Sequence, residues 1–416
     1  MKKVLWVMSR PLAGAFGSSK NNFSGSWLDA AFESCCNQDD IELYIASTGN
    51  VSHIMSEKRG HHILYMLPGG GKQYDENNSS NVQAWIALKQ LVKPDIIQIW
   101  GTECDCAKIA LQTFSDIPSV IYIQGMMDAV ARGYDAEIPF KKKLQIITPY
   151  DIIHRNWINA SQEKYIERAT REKEILNMAT AAIVENDWCE DQIHAISPKC
   201  MCYRSNLPIK ESFWKSNWSF ENVGLHTIFT NAGSMPLKGH HVLLKALHIV
   251  KNSFPDFKIY IPGTPLDLKK AGRNFHTSGY SYLLSSLIKE YELQDNINYV
   301  GLLSDIQMAE YLSKVHVFVM PSCVENHSSS LIEAQIVGTP CITSFVGGTG
   351  SVVKDGVNAL IYNFHDAASL AGHICRIFKS KDLALKLSSG ANLYRQKRRN
   401  NIGEELLDIY QKLIEK

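Results

Sequence analysis

The sequence predicts an α/β protein of two doubly wound, parallel-sheet domains, and three observations carry that prediction. The chain has 416 residues, enough for two domains that each bury a core. Short apolar runs without polar alternation, the mark of strands buried on both faces, recur along it with helical patterns between them. The series runs twice, broken by a polar, irregular stretch at Pro208–Glu221 that carries Trp214 and Trp218. A division there gives domains 1–208 and 209–400, with a C-terminal helix, 401–416, that can pack back on the first.

The first series opens with Val4–Met8, a run of five apolar residues. A polar, glycine-bearing loop follows, then a helical pattern from Gly25 through Trp27, Leu28, Ala31 and Phe32. Ile41–Ala46, Ile96–Trp100, Ser119–Gln124 and Ala181–Val184 read as further strands. Helical patterns at Val82–Val92, Ala107–Phe114 and Gln162–Met178 separate them. Residues 129–159 break the rhythm. The second series offers strands at His226–Thr230, Lys258–Pro262, Ile297–Val300, Val315–Met320 and Cys341–Thr343, alternating with helices. The last helix, Ile402–Ile414, keeps Leu406, Ile409, Tyr410 and Leu413 on one face. In open sheets of this kind ligands sit outside the carboxyl ends of the strands, and two facing sheets create a cleft.

Composition removes several function classes. The net charge is +1, so no global field favours nucleic acid or an anionic membrane. The apolar run Val4–Met8 is shorter than the roughly 7 to 15 residues of a signal h-region, and no stretch nears the ~18 of a membrane span. A cytoplasmic location is expected, at most peripheral on the inner face of a membrane. None of the 10 cysteines has C-x-x-C spacing, and the 14 histidines are scattered, so no metal and no cofactor are expected. Gly69-Gly70-Gly71-Lys72 lacks the earlier glycine and the following Ser or Thr of a phosphate loop: Met66 and Gln73 stand there. No G-x-G-x-x-G follows Val4–Met8.

The strongest constellation is Pro321-Ser-Cys-Val-Glu325-Asn-His-Ser-Ser-Ser-Leu-Ile-Glu333-Ala334, directly after the strand Val315–Met320. A helix starting near Ser329 or Ser330 presents unpaired N–H groups and a positive dipole end, a ready anion site. Glu333, about a turn inside, can reach past a phosphate to the adjoining diol. Ser330 and Glu333 also satisfy the S-x-x-E capping box, and from sequence alone both readings stand. A second constellation is Thr230-Asn231-Ala-Gly233-Ser234-Met-Pro-Leu-Lys238-Gly239 at the end of a strand.

These segments resemble the retaining glycosyltransferase family 4, whose fold is GT-B: two Rossmann-like doubly wound domains facing across a cleft. The first looks like the family's E-x7-E motif. It is followed, as in the family, by Gly338-Thr-Pro340, Gly347-Gly348 and Asp355-Gly356-Val-Asn358. The resemblance implies that Glu333 binds the donor ribose and that Glu325 lies near the transferred sugar. His327, Ser328, Ser329, Ser330 and Leu331 would hold sugar hydroxyls and phosphate through their backbone. Gly233, Ser234 and Lys238 resemble the family's diphosphate clamp, with Lys238 stabilising the leaving group. Ser234 stands where the family has an arginine. Gly301, in Val300-Gly301-Leu-Leu, would border the nucleotide base. Gln124 occupies the position of a family histidine that touches the donor sugar; an amide can hydrogen-bond there but cannot act as a base. Gly25 resembles the glycine of a loop that closes over phosphate or acceptor, and also reads as an ordinary loop glycine.

The implied activity is metal-independent hexosyl transfer, with retention, from a UDP- or GDP-linked donor to a hydroxyl of a glycan or lipid-linked glycan, in cell-surface polysaccharide biosynthesis. Nucleotide-sugar epimerases and sugar phosphorylases share the architecture and remain open, as does a non-catalytic sugar-nucleotide-binding relative. Lys141–Lys143, beside apolar residues, reads either as a membrane-surface contact or as a solvated loop.

Overall fold

The computed structural model describes residues 1–17, 26–36, 38, 40–69, 79–104, 106–230, 233–266 and 272–416. They form two compact units. The first comprises Met1–Asp128, Glu167–Pro208 and Arg399–Lys416, and the second Ala129–Ile166 and Ile209–Arg398. The cut at 208/209 therefore stands beside others at 128/129, 166/167 and 398/399. A single division into 1–208 and 209–400 needs correction, because residues 129–166 pack with the C-terminal sheet. Tyr134, Ile138, Ile146 and Ile158 join the core that contains Ile228, Phe229 and Phe318. A helical apolar pattern says that a face is buried, not which sheet buries it.

In the first unit the strands are β1 (Lys2–Met8), β2 (Ile41–Gly49), β3 (Met55–Arg59), β4 (His62–Pro68), β5 (Ile96–Trp100), β6 (Ser119–Tyr122), β7 (Ala181–Val184) and β8 (Met201–Arg204). They lie in the order β3-β4-β2-β1-β5-β6-β7-β8. All neighbours are parallel except β3 and β4, which form an antiparallel hairpin turning at Gly60, φ +63°. The polar edge strand β3 carries Ser56, Glu57, Lys58 and Arg59. Edge strands carry charge to avoid pairing with other chains, so β3 has no apolar period for a sequence reading to find.

In this core Trp6 meets Trp100 edge to face, ring centroids 4.9 Å apart, and Trp100 stacks on Tyr122 at 5.0 Å. Helix Ile402–Ile414 closes it with the four apolar side chains its period predicts. Tyr410 ties helix to sheet: its hydroxyl accepts from Trp6 Nε1 at 2.9 Å and donates to Gln98 Oε1.

The second unit contains β9 (Gly224–Phe229), β10 (Lys258–Ile261), β11 (Ile297–Tyr299), β12 (Val315–Met320), β13 (Cys341–Ser344) and β14 (Leu360–Tyr362). Their order is β11-β10-β9-β12-β13-β14, all parallel. Strand order reverses between β9 and β12, the switch point where open sheets bind ligands. Trp218, from the irregular stretch, anchors the sheet's amino end by donating from Nε1 to the Val315 carbonyl at 2.8 Å.

Removing the Tyr410 hydroxyl strands the buried Trp6 N–H and a Gln98 oxygen. A Tyr410→Phe variant is expected to lose about 1–3 kcal/mol of stability, read as a lower midpoint in urea unfolding followed by tryptophan fluorescence. An unchanged midpoint would show that this anchor carries no net stability.

Candidate functional site

The two loops that leave β9 and β12 at the switch point meet in direct contact. Lys238 Nζ lies 2.6 Å from Glu325 Oε1, and the Ser322 hydroxyl donates to the same oxygen at 2.7 Å. Backbone geometry enforces the meeting. Gly239 has φ +72°, and a Cβ there would stand 1.8 Å from the Pro321 carbonyl oxygen. Cys323 N–H donates to the Leu237 carbonyl at 2.9 Å, closing the two loops together. The Gly347-Gly348 pair plays the same part from the other side. A Cβ on Gly347 would stand 1.9 Å from the Glu325 carbonyl oxygen, and Gly348 N–H donates to that oxygen at 3.1 Å.

The helix after this loop spans Ser329–Val337, and its cap is Ser328, whose hydroxyl accepts from Leu331 N–H at 3.4 Å. Ser330 is thus inside the helix, and the Ser330–Glu333 capping box does not form. Glu333 is the fifth helical residue, partly exposed. No hydrogen bond to its carboxylate is found among the described residues. Its pKa is pushed up to about 8, first by desolvation and then by Asp305, with Lys210 opposing. Asp305 itself is held by the Ser212 hydroxyl at 2.8 Å and by Lys210 at 3.7 Å.

Asp305 opens the helix that follows Gly301. Gly301 has φ +74° and open space where a Cβ would point, and its carbonyl accepts from Gly263 N–H at 2.7 Å. The loops after β10 and β11 are joined there. Asn358 of the Asp355-Gly356-Val-Asn358 motif is architectural. Its amide donates to Gln335 Oε1 at 2.7 Å and its Oδ1 accepts from Lys354 N–H at 2.7 Å, pinning that turn to the helix Ser329–Val337.

His327 lies in the same loop, with its pKa lowered to about 3 by burial and by Arg398, whose Nη1 stands 3.4 Å from His327 Nε2. Both effects favour the neutral imidazole. Arg398 reaches this loop from 71 residues away in the chain, a distance no local motif reveals. Gly233 and Ser234 are exposed. Ser234 and Met235 line a cleft of about 230 Å³ together with Tyr134, Trp157, Asp151 and Gly279. Asp151 Oδ2 accepts from Gly279 N–H at 2.9 Å and from Thr148 N–H at 3.0 Å, which fixes the segment 129–166 against this wall.

Lys238, Glu325, Gly233, Ser234, His327 to Leu331, Glu333 and Gly301 thus all lie in the second unit, on loops and helix starts at the carboxyl ends of its strands. Gln124 lies in the first unit, two residues beyond β6, and Gly25 falls outside the described residues. The first unit also holds a carboxyl pair that sequence reasoning missed. Glu172 accepts from Thr102 Oγ1 at 2.5 Å and from Met127 and Asp128 N–H at 3.0 and 3.2 Å. Glu103, just after β5, has its pKa pushed up to about 7, chiefly by burial. The two glutamates are 69 residues apart, so no spacing rule pairs them.

Comparison with known proteins agrees with this geometry. Residues 222–393 match the family of glycosyl transferases group 1. A curated D-inositol 3-phosphate glycosyltransferase of Arthrobacter sp. (strain FB24) is 30% identical over 135 residues, which is 32% of this chain and 30% of that protein. One from Streptomyces scabiei is 26% identical over 38% of this chain and 34% of that protein. The matched stretch thus spans about a third of these relatives. Among solved structures, sucrose-phosphate synthase from Thermosynechococcus elongatus superposes with a TM-score of 0.73 at 17% identity, covering 100% of both chains. Anabaena HepE in complex with UDP and glucose gives 0.68 at 13%, covering 99% of this chain and 100% of that one. At these identities the structures establish the shared fold, two parallel-sheet Rossmann-like domains of the GT-B type.

A carboxyl held above its ordinary value in the folded state makes stability fall as pH rises between the two values, because the unfolded chain loses its proton first. For Glu333 that window runs from about 4.5 to about 8. Glu333→Gln removes the slope. Its melting temperature is expected to exceed that of the parent at pH 8, with the gap closing toward pH 4.5. A gap independent of pH would show that the carboxyl is not perturbed.

Proposed function

Because residues 222–393 match the family of glycosyl transferases group 1 in a chain of GT-B fold, we propose that this protein transfers a hexosyl group from a nucleoside-diphosphate sugar to a hydroxyl of a glycan or lipid-linked glycan. The observation that carries the reading is Glu333. Its carboxylate has no protein hydrogen bond among the described residues, is destabilised by desolvation, and stands one turn inside a helix start at the switch point. A perturbed carboxylate left in that state marks a ligand site. A ribose diol supplies the two donors it lacks, while the helix start and Lys238 face the diphosphate. Lys238 would stabilise the charge that grows on the departing diphosphate, at present balanced by Glu325. The Ser322–Ser330 loop would hold the sugar hydroxyls. HepE, solved with UDP and glucose, supports a UDP-linked donor over a GDP-linked one. Retention of configuration and a role in cell-surface polysaccharide assembly belong to the same proposal.

The region of Lys141–Lys143 supports a peripheral membrane contact. Lys143 is withdrawn into an ion pair with Asp135 at 2.7 Å, leaving Lys141 and Lys142 exposed. Around them Phe140, Leu144, Ile152 and Ile153 are each 51–64% exposed. Exposed apolar side chains beside exposed cations in the same segment suit the interfacial zone of an anionic bilayer. No helix of the described residues is long and apolar enough to cross a membrane.

Calorimetric titration with UDP and GDP tests the donor site. Loss of charged hydrogen bonds at about 1.5–3 kcal/mol predicts that Glu333→Ala weakens binding roughly tenfold to a hundredfold, with no detectable binding when Lys238→Ala is added. Equal affinity in parent and double variant would remove the proposed site. Donor turnover without acceptor would indicate an epimerase, dependence on free phosphate a phosphorylase, and binding without turnover a non-catalytic relative. In vesicle flotation, Phe140→Ser/Leu144→Ser and Lys141→Glu/Lys142→Glu variants are each expected to leave the anionic lipid fraction. Flotation of both as efficiently as the parent would refute the membrane contact.

A further inference from the structure

In the first unit, away from every residue assigned above, helix Asp187–Ile196 and strand β8 bring three unlike donor groups together. Glu190 and His194 are four residues apart and share one face of the helix. Cys202 comes from β8, which pairs with β7, the strand that leads into that helix. One carboxylate oxygen, one ring nitrogen and the thiol sulfur all lie within 4.8 Å of one another. We propose that Glu190, His194 and Cys202 form a binding site for a zinc-class divalent cation, with the fourth position open to solvent.

The donor chemistry selects the ion. A thiolate, an imidazole and one carboxylate suit Zn²⁺ or Co²⁺ and disfavour Mg²⁺ and Ca²⁺, which demand oxygen ligands. Tetrahedral zinc with bonds of about 2.0–2.3 Å places its ligand atoms roughly 3.3–3.8 Å apart. The three groups therefore need to close by about 1 Å, within reach of the exposed His194 side chain. Charge also balances, since a carboxylate and a thiolate neutralise a dication. Arg204 holds the carboxylate in place, with Nη2 on Oε2 of Glu190 and 2.5 Å from Asp187 Oδ1. Asp187 offsets the guanidinium charge. Such outer partners commonly orient metal ligands.

Burial, with smaller contributions from Cys200 and Glu190, pushes the Cys202 thiol up to about 12. It would ligate by exchange: the S–H bond breaks, a sulfur–metal bond forms, and one proton leaves to solvent. The sequence held a signal for this site in Glu190-x-x-x-His194, on a helix one turn before Cys200-x-Cys202. Without the β8 strand, nothing placed Cys202 beside that face.

Titration of the full-length, chelator-treated chain with Co²⁺ tests the site. One equivalent is expected to produce a thiolate-to-cobalt charge-transfer band that Zn²⁺ displaces. Cys202→Ser is expected to abolish the band, and His194→Ala to weaken Co²⁺ binding by at least about tenfold. Cys36→Ser, away from the cluster, should leave it intact. Absence of the band in the parent, or its persistence in Cys202→Ser, would overturn the proposal. UDP binding should be unchanged in all three variants, so failure here leaves the donor-site reading standing.

Discussion

The second unit depends on one steric constraint: a backbone approach that only glycine permits. Gly239 turns against the Pro321 carbonyl where strand order reverses, and any side chain would overlap that oxygen. The contact places the end of the β9 loop against the exit of β12, which puts Lys238 on Glu325. Gly347 makes a matching approach to the Glu325 carbonyl. The loop carrying the first glutamate is thus clamped by two glycines from distant segments. These glycines supply position and little stability, since a residue without a side chain adds flexibility to the unfolded chain.

Glu333 shows the complementary trade. A carboxyl pushed up to about 8 opposes folding at neutral pH. A neutral amide would fit the same space without that cost. The neighbouring Asp305 increases it and Lys210 only partly relieves it. Stability alone does not account for a group with this balance, and preorganised active sites are commonly less stable than they could be.

Much of this was legible in the sequence, for identifiable reasons. Strands buried on both faces announce themselves as apolar runs with at most one polar residue, so β1, β5, β7 and β12 could be read directly. The edge strand β3 lacks such a run, and β8 and β14 are only four and three residues long. The E-x7-E segment could be read because strand, loop, helix start and glutamate are contiguous. Three things escaped for one reason, sequence separation: the membership of 129–166, the approach of Arg398 to His327, and the Glu103–Glu172 pair. The capping-box alternative for Glu333 could be decided only by seeing that Ser328, not Ser330, sits at the helix boundary.

The interleaved path of the chain has a consequence for biosynthesis. Tyr410 fills a place between Trp6 and Gln98, partners separated from it by 404 and 312 residues. A ribosome must read through the whole second unit before helix Ile402–Ile414 exists. Until then the first sheet has an uncovered apolar face, and the Trp6 indole N–H lacks its protein acceptor. The early half of the nascent chain therefore waits, partly finished, on the late one. It is during that interval that a chaperone would have the most to hold.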